Sequence, residues 1–242
     1  MAAHLLIYNE VEPINAIRHK QLHVKASNDF AFAKNVNISP LTAIEFPKAA
    51  VEYPIVFTGN DDNIMPIAVL GTNEKENLFF SDDNKWEAEY IPAFVRRYPF
   101  VFSSQDDGKT LTLCIDKAFE GCNDDGRGEA LFDAEGERTQ YLNNVLSFSQ
   151  EYQAHFQRTQ LFCKKLKELN LLEPMVAQFT DKEGNKRSLT GFMAINRDRL
   201  KALSGDKLEE LAKTDGLELA YLHLQSMANF NKLVSKAARI VE

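Results

Sequence analysis

The residues best suited to chemistry lie in the segment 86–100, which holds the chain's single tryptophan, four further aromatic side chains and two adjacent arginines. Aromatic rings beside arginine are common in recognition surfaces, because they offer stacking, cation–π contacts and bidentate binding of carboxylates. We call this stretch the aromatic segment. It predicts a ligand- or partner-binding surface formed by Trp86, Tyr90, Arg96, Arg97 and Tyr98.

A structural interpretation of the aromatic segment is also open, and for this stretch we favour it over binding. The rings would then pack beneath a sheet, and the two arginines would pair with internal acids such as Glu87 or Glu89. The interpretations differ in where the arginines lie. Binding requires that Arg96 or Arg97 faces a groove, whereas a structural role requires that both are paired inside the protein.

Histidine spacing offers one candidate metal site. His19 and His23 are four residues apart, the spacing of two zinc ligands on one helical face, but Lys20 stands where H-E-x-x-H has glutamate. No third ligand is evident, so we predict surface histidines and no metal site. His155 and His223 fall within helical stripes, where a core or boundary histidine is commoner than a catalytic base.

Acidic pairs beside glycine or asparagine recur along the chain and raise the question of calcium. A calcium loop needs alternating oxygen ligands followed by a bidentate glutamate, and none of the pairs has that spacing. Aspartate also favours turns for its own reasons, so we predict solvated turns. The pairs are Asp61-Asp62, Asp82-Asp83, Asp106-Asp107 and Asp124-Asp125.

Motifs for nucleotides and nucleophilic catalysis do not appear. The glycine-bearing stretch 121–128 matches neither a P-loop nor G-x-G-x-x-G, and it predicts a turn-rich loop. There is no G-x-S-x-G elbow. We therefore predict no cofactor and favour a protein without enzymatic activity. The question of activity stays open, because catalytic groups can converge from distant positions.

Composition limits the class of protein and its partners. The 242 residues are 44% hydrophobic and 26% charged, as in a folded soluble domain, and 17 Phe with 7 Tyr can fill a core without metal or disulfides. A net charge of −7 disfavours nonspecific binding to nucleic acid or anionic lipid. No apolar run approaches the roughly 20 residues that cross a bilayer. Because the three cysteines are scattered and we see no signal peptide, we expect a cytoplasmic location. Export by another route stays open.

Short apolar runs separated by turn residues dominate the first 135 residues. They predict two short helices near 41–51 and 92–98 and a curled antiparallel sheet, with a hairpin turn at 105–109 that carries Asp-Gly. The predicted strands are 54–58, 64–70, 77–81, 100–103 and 110–115.

Helical spacing takes over from about residue 136. Apolar residues three and four apart predict one long amphipathic helix, or two with a kink, ending before Pro174. A β-hairpin with its turn at 181–185 follows, and then helices, of which the last is long. The prediction is an α+β fold in one domain, residues 1–242, with a β-rich layer over 1–135 and a helix-rich layer over 136–242.

The aromatic segment also resembles the most recognisable motif of the SapC-like family of bacterial proteins. Trp86 with residues 90–100 carries the resemblance, which extends over about residues 20–235. Other matching pieces follow in order at 53–57, 70–71 with 77–79, 131–133 with 136–137, and 216–233.

The resemblance implies a link to bacterial surface layers or outer-membrane uptake systems, and it provides no catalytic residues. We expect a non-enzymatic binding or accessory protein that recognises a peptide or protein partner. The alternative is an uncharacterised enzyme acting on a peptide or small metabolite. That alternative expects Arg96, Arg97 and a carboxylate to converge in a deep pocket, with His23 as an optional further member.

Overall fold

The computed structural model describes residues 6–25, 29–60, 63–81, 83, 85–104, 110–180 and 186–239. Its strands are β1 (Val11–Pro13), β2 (His23–Val24), β3 (Ile38–Pro40), β4 (Ile55–Thr58), β5 (Met65–Val69), β6 (Phe100–Ser104), β7 (Leu111–Asp116), β8 (Cys122–Asn123), β9 (Glu129–Ala130), β10 (Leu172–Thr180) and β11 (Lys186–Ile195). Its α-helices are α1 (Phe46–Glu52), α2 (Ala93–Arg96), α3 (Gln140–Glu168), α4 (Arg197–Lys201), α5 (Gly205–Lys213), α6 (Gly216–Ser226) and α7 (Asn229–Arg239).

A five-stranded antiparallel sheet in the order β10-β11-β4-β5-β3 forms the centre of the fold. The apolar runs predicted as a hairpin are its strands β4 and β5, and all five residues of β5 are buried. A strand covered on both faces tolerates such a continuous apolar run. Met193 of β11 lies opposite Phe57 of β4, so strands from both sides of residue 135 share this sheet.

The remaining strands form two smaller antiparallel sheets, β1-β7-β6 and β8-β2-β9. Strands β6 and β7 confirm the predictions over 100–103 and 110–115. The prediction of a strand over 77–81 is wrong, because only Phe80 forms a bridge there, to Trp86. The Asn77 side chain explains this: it accepts a hydrogen bond from the Phe79 backbone and donates one to the Ala33 carbonyl, which turns the backbone away from a ladder.

The helices follow the predicted pattern with one exception. The two short helices in the first half are α1 and α2, and the long amphipathic stretch is one continuous helix of 29 residues, α3. The prediction of a single long final helix is wrong, because α6 and α7 are separated at residues 227–228. The buried Asn229 side chain donates to the carbonyls of Ala50 and Tyr53, which ties the start of α7 to α1 and redirects the chain.

His223 holds α6 against the central sheet. Its ring is fully buried, with Nδ1 2.9 Å from the Ile55 carbonyl and Nε2 accepting from the Ile195 backbone N–H at 3.0 Å. Burial lowers the pKa of His223 to about 4, so the ring is neutral and Nδ1 donates. One imidazole thereby joins β4, β11 and α6.

The prediction for the first histidine pair needs correction. His19 is buried at 2% exposure rather than at the surface, because its Nε2 lies 2.8 Å from a Glu12 carboxylate oxygen and its Nδ1 accepts from the Asn15 backbone. His23 is half-buried and contacts the Gln21 carbonyl. Within the described ranges, no group of three or more His, Cys, Asp or Glu side chains is placed to hold a metal.

Several predicted turns fall outside the described residues: Asp61-Asp62, Asp82, and the hairpin turns 105–109 and 181–185. Asp124 and Asp125 are exposed, and Asp125 pairs with Arg127 at 2.9 Å as part of the turn between β8 and β9. Among the described helices, none is both long and apolar enough to cross a bilayer.

Candidate binding site

A buried carboxylate, Glu45, fixes the aromatic segment to the helix that precedes β4. Its Oε1 accepts from the Tyr90 hydroxyl at 2.8 Å and from the Ala93 backbone N–H at 2.7 Å. Its Oε2 accepts from the backbone N–H and the hydroxyl of Thr42, at 2.7 and 2.9 Å. Both oxygens are therefore fully engaged, and Tyr90 is held as a neutral phenol whose pKa is raised by burial and by Glu45.

Trp86 serves as a packing residue at the start of the segment. Its Nε1 donates to the Tyr53 hydroxyl at 2.9 Å, and that hydroxyl donates to the Tyr90 carbonyl. The indole meets the rings of Phe30 and Phe80 edge-on. These contacts place the half-buried Trp86 in the protein's own hydrogen-bond network, as the structural interpretation expected.

Tyr98 is anchored at the other end of the segment by a second buried carboxylate. Its hydroxyl donates to Asp116 Oδ2 at 3.3 Å, and its ring lies 4.2 Å, centre to centre, from that of Phe32. Asp116 also accepts three backbone N–H groups, those of Asn9, Glu10 and Ala118. Burial, followed by the charge of Asp116, raises the pKa of Tyr98.

Arg96 projects from α2 and is exposed. Its Nε donates to the Ile91 carbonyl at 3.0 Å, and its guanidinium lies 5.5 Å from the ring centre of Phe148 and 5.8 Å from that of Tyr90. Glu87, which the structural interpretation assigned to an arginine, instead pairs with Lys236 at 2.7 Å. Arg96 is thus held over two rings with its charge open to a ligand.

Arg97, the next residue, is only 8% exposed. Its guanidinium carbon lies 4.5 Å from the ring centre of Tyr152, 4.7 Å from Phe94 and 5.6 Å from Tyr8. Among the described residues, its Nε and Nη2 have no hydrogen-bond partner, nor does the Tyr152 hydroxyl. No carboxylate among the described residues forms an ion pair with it, so the predicted pairing of both arginines with internal acids is wrong.

Three adjoining cavities surround these arginines along α3. The aromatic cavity, of about 400 Å³, contains Arg96, Arg97 and Tyr98. The side cavity, of about 390 Å³, shares Arg96 and Phe148 with the aromatic cavity. The inner cavity, of about 150 Å³, shares Arg97 with the aromatic cavity and is also lined by Tyr152. The apolar and ring-bearing walls of the aromatic cavity are Val24, Phe30, Phe32, Pro99, Phe100, Phe119, Tyr141, Val145 and Phe148.

Comparison with known proteins identifies the family. The family model described as SapC matches residues 14–233, which is most of the chain. The chain belongs to the SapC family. No curated protein and no solved structure matches it.

In this SapC family protein, the five predicted residues divide into three groups. Arg96, Arg97 and Tyr98 meet at the aromatic cavity, and Tyr90 reaches only the side cavity, where it lies with Arg96. Trp86 lines none of the three cavities, and its link to the site is the hydrogen bond that it donates to the Tyr53 hydroxyl.

His23 does not join the arginines. It lies on β2, whose next residue, Val24, lines the aromatic cavity. Because successive side chains of a strand point to opposite faces, His23 is directed away from that cavity. His23, the optional member of the pocket in the enzyme alternative, therefore lies outside it.

The residues that the sequence did not assign to the site come from several elements, and three of those that face the arginines lie on α3. Tyr141, Phe148 and Tyr152 recur at helical spacing and face the arginines. That spacing is visible in the sequence, but it is equally typical of a core stripe, and nothing in it points to arginines on a distant segment. Burial raises the pKa of Tyr152 to about 12, so its hydroxyl is a protonated donor.

Proposed function

We propose that this SapC family protein is a non-enzymatic binding or accessory protein that captures a peptide segment of a partner in the aromatic cavity. The observation that carries the proposal is the cavity itself, of about 400 Å³, with aromatic walls, an exposed Arg96 at its side and a buried Arg97 within it. Specific ligand sites combine apolar walls with a few placed polar groups in the same way, at volumes of roughly 300–1,000 Å³.

The state of the two buried carboxylates beside the site favours binding over catalysis. Glu45 and Asp116 lie beside the site residues, and each accepts four hydrogen bonds from the protein. A general base needs a lone pair within reach of a substrate proton, and both carboxylates already use theirs to hold the aromatic segment in place.

The proposed partner is a peptide because the cavity walls and the arginines suit a chain that carries both an apolar side chain and a negative charge. Membership of the SapC family makes a component of the surface layer or of an outer-membrane uptake system the first partner to test. Nucleic acid is a poor alternative, since the chain has a net charge of −7.

Two neighbouring asparagines on α3 provide a matched test. Asn144 is exposed and lines the aromatic cavity, whereas Asn143 is exposed and lines none of the three cavities. The purified chain is immobilised and incubated with a pool of short random-sequence peptides, and the retained peptides are identified by mass spectrometry. Asn144→Trp should close the cavity and lose the peptides that the wild type retains, while Asn143→Trp should retain them.

Melting temperatures establish that both variants are folded. Equal retention by the two tryptophan variants would place the binding surface elsewhere and overturn the proposal. Failure of the folded wild type to retain any peptide from the pool would overturn it as well.

A further inference from the structure

The guanidinium of Arg97 is a buried charge that the protein leaves partly unpartnered. Its Nε and Nη2 each expose less than 1 Å² and donate to nothing in the described part of the chain. Three aromatic rings surround the group, and the Tyr8 side chain also makes a hydrogen bond with it, but these contacts supply no acceptor to Nε or Nη2. A buried charged donor without an acceptor is costly, and it persists in proteins where function requires it.

A third unused donor lies beside the first two. The Tyr152 hydroxyl, on α3, is also buried without a partner, and its ring is the closest of the three to the Arg97 guanidinium, at 4.5 Å. Both side chains line the inner cavity, and Arg97 also lines the aromatic cavity. Donors from two separate elements therefore meet next to a space that a ligand can enter.

We propose that Arg97 and Tyr152 bind the C-terminal carboxylate of the captured peptide, whose last side chain packs against the walls of the aromatic cavity. The inference rests on the proposed function and adds to it the end of the peptide that is recognised. The Nε and Nη2 of arginine lie on one edge of the guanidinium and match the two oxygens of a carboxylate. The guanidinium slides toward the cavity it already lines as the carboxylate arrives, and the tyrosine hydroxyl then donates to one of its oxygens.

Charge balance favours a carboxylate over a phosphate. A carboxylate carries a single negative charge, which the one positive charge of Arg97 neutralises. Arg96 does not assist at this depth, because it is exposed and its Nε already donates to the Ile91 carbonyl. A phosphate dianion would keep an unbalanced charge in a largely apolar space.

Two small probes that differ only at the carboxylate test the inference. N-acetyl-L-phenylalanine mimics a peptide that ends in an apolar residue, and N-acetyl-L-phenylalaninamide lacks the charge. Isothermal titration of the wild type should show binding of the acid at least about tenfold tighter than binding of the amide, as expected for a pair of charge-assisted hydrogen bonds. Inorganic phosphate should not compete with the acid.

Variants assign the effect to the two residues. Arg97→Met keeps the bulk and removes the charge, and it should abolish the preference for the acid over the amide. Tyr152→Phe should weaken binding of the acid about fivefold, the loss of one hydrogen bond, and leave binding of the amide unchanged. If Arg97→Met does not fold, Tyr152→Phe carries the test, since that hydroxyl has no partner whose loss would unfold the chain.

Each result separates this inference from the proposed function. Equal affinity for acid and amide, failure of both to bind, or competition by phosphate would overturn the carboxylate site. Peptide retention that responds to Asn144→Trp but is the same for peptides with free and amidated C-termini would overturn the carboxylate site alone. Binding of the acid together with equal retention by both tryptophan variants would instead overturn the proposed function.

Discussion

Arg97 and Tyr152 lie with guanidinium carbon and ring centre 4.5 Å apart, yet the arginine's Nε and Nη2 and the tyrosine hydroxyl have no hydrogen-bond partner in the described part of the chain. Other buried polar groups around the aromatic segment have hydrogen-bond partners. Glu45 and Asp116 each accept four hydrogen bonds, from donors that include Tyr90 and Tyr98. This contrast is the basis for the carboxylate site proposed above.

Removing the Tyr152 hydroxyl should not destabilise the protein. Because that hydroxyl is buried without a partner, Tyr152→Phe should leave the free energy of unfolding unchanged or raise it by up to about 1 kcal/mol. Tyr98→Phe is the matched control, since it removes a hydroxyl that donates to Asp116, and it should lower stability by about 1–2 kcal/mol. Urea denaturation measures both, and a larger loss for Tyr152→Phe would show that its hydroxyl has a structural partner.

Glu45 should be among the most sensitive polar positions in the fold. Glu45→Gln replaces one acceptor oxygen by an NH₂ group, which faces existing donors, and it should lower the free energy of unfolding by about 2–4 kcal/mol. Glu87→Gln is the control, because Glu87 is exposed and pairs only with Lys236, and it should cost less than about 1 kcal/mol. Similar losses at both positions would contradict the anchoring role assigned to Glu45.

Sequence patterns predicted the elements of the fold better than they predicted the site. The hairpin of β4 and β5 and the helix α3 follow from local apolar periodicity, which tertiary contacts reinforced. The break between α6 and α7 depends on Asn229 reaching the carbonyls of Ala50 and Tyr53, a contact across the fold that no local pattern encodes.

The part of the site that could be predicted is the part whose residues are neighbours in sequence. The aromatic segment was recognisable because Arg96, Arg97 and Tyr98 are adjacent in sequence. The opposing wall was not, because Phe148 and Tyr152 have the spacing of an ordinary core stripe and meet the arginines only after folding. Sequence adjacency also hid the difference in burial between the two arginines, since Arg96 is exposed and Arg97 is buried.

Arg96 should contribute to peptide binding without contributing to stability. Its side chain is exposed over Phe148 and Tyr90, so Arg96→Ala should leave the melting temperature almost unchanged while it weakens retention of peptides from the random pool. Arg127→Ala, at an exposed arginine that pairs with Asp125 and lines none of the three cavities, should change neither property. Parallel losses of retention and melting temperature in Arg96→Ala would indicate a structural role for Arg96.

His223 should make the stability of the protein depend on pH below neutrality. In the unfolded chain its pKa is 6.5, and burial lowers it to about 4 in the folded chain. As the pH falls from 6.5 towards 4, the unfolded state takes up a proton that the folded state does not, so stability should drop by on the order of 3 kcal/mol. His223→Gln offers similar hydrogen bonds to Ile55 and Ile195 without titrating, and its stability should fall less over this range; equal slopes would contradict the prediction.

The most direct test of the account is to observe the Arg97 Nε–H itself. In two-dimensional ¹H–¹⁵N spectra, comparison with Arg97→Met assigns this resonance, and N-acetyl-L-phenylalanine is then added to the wild type. The account predicts a downfield shift of the Arg97 Nε–H that saturates with the probe and is absent with the amide, because a carboxylate becomes its acceptor. A resonance that stays in place while the probe binds elsewhere, or that moves equally with acid and amide, would contradict it.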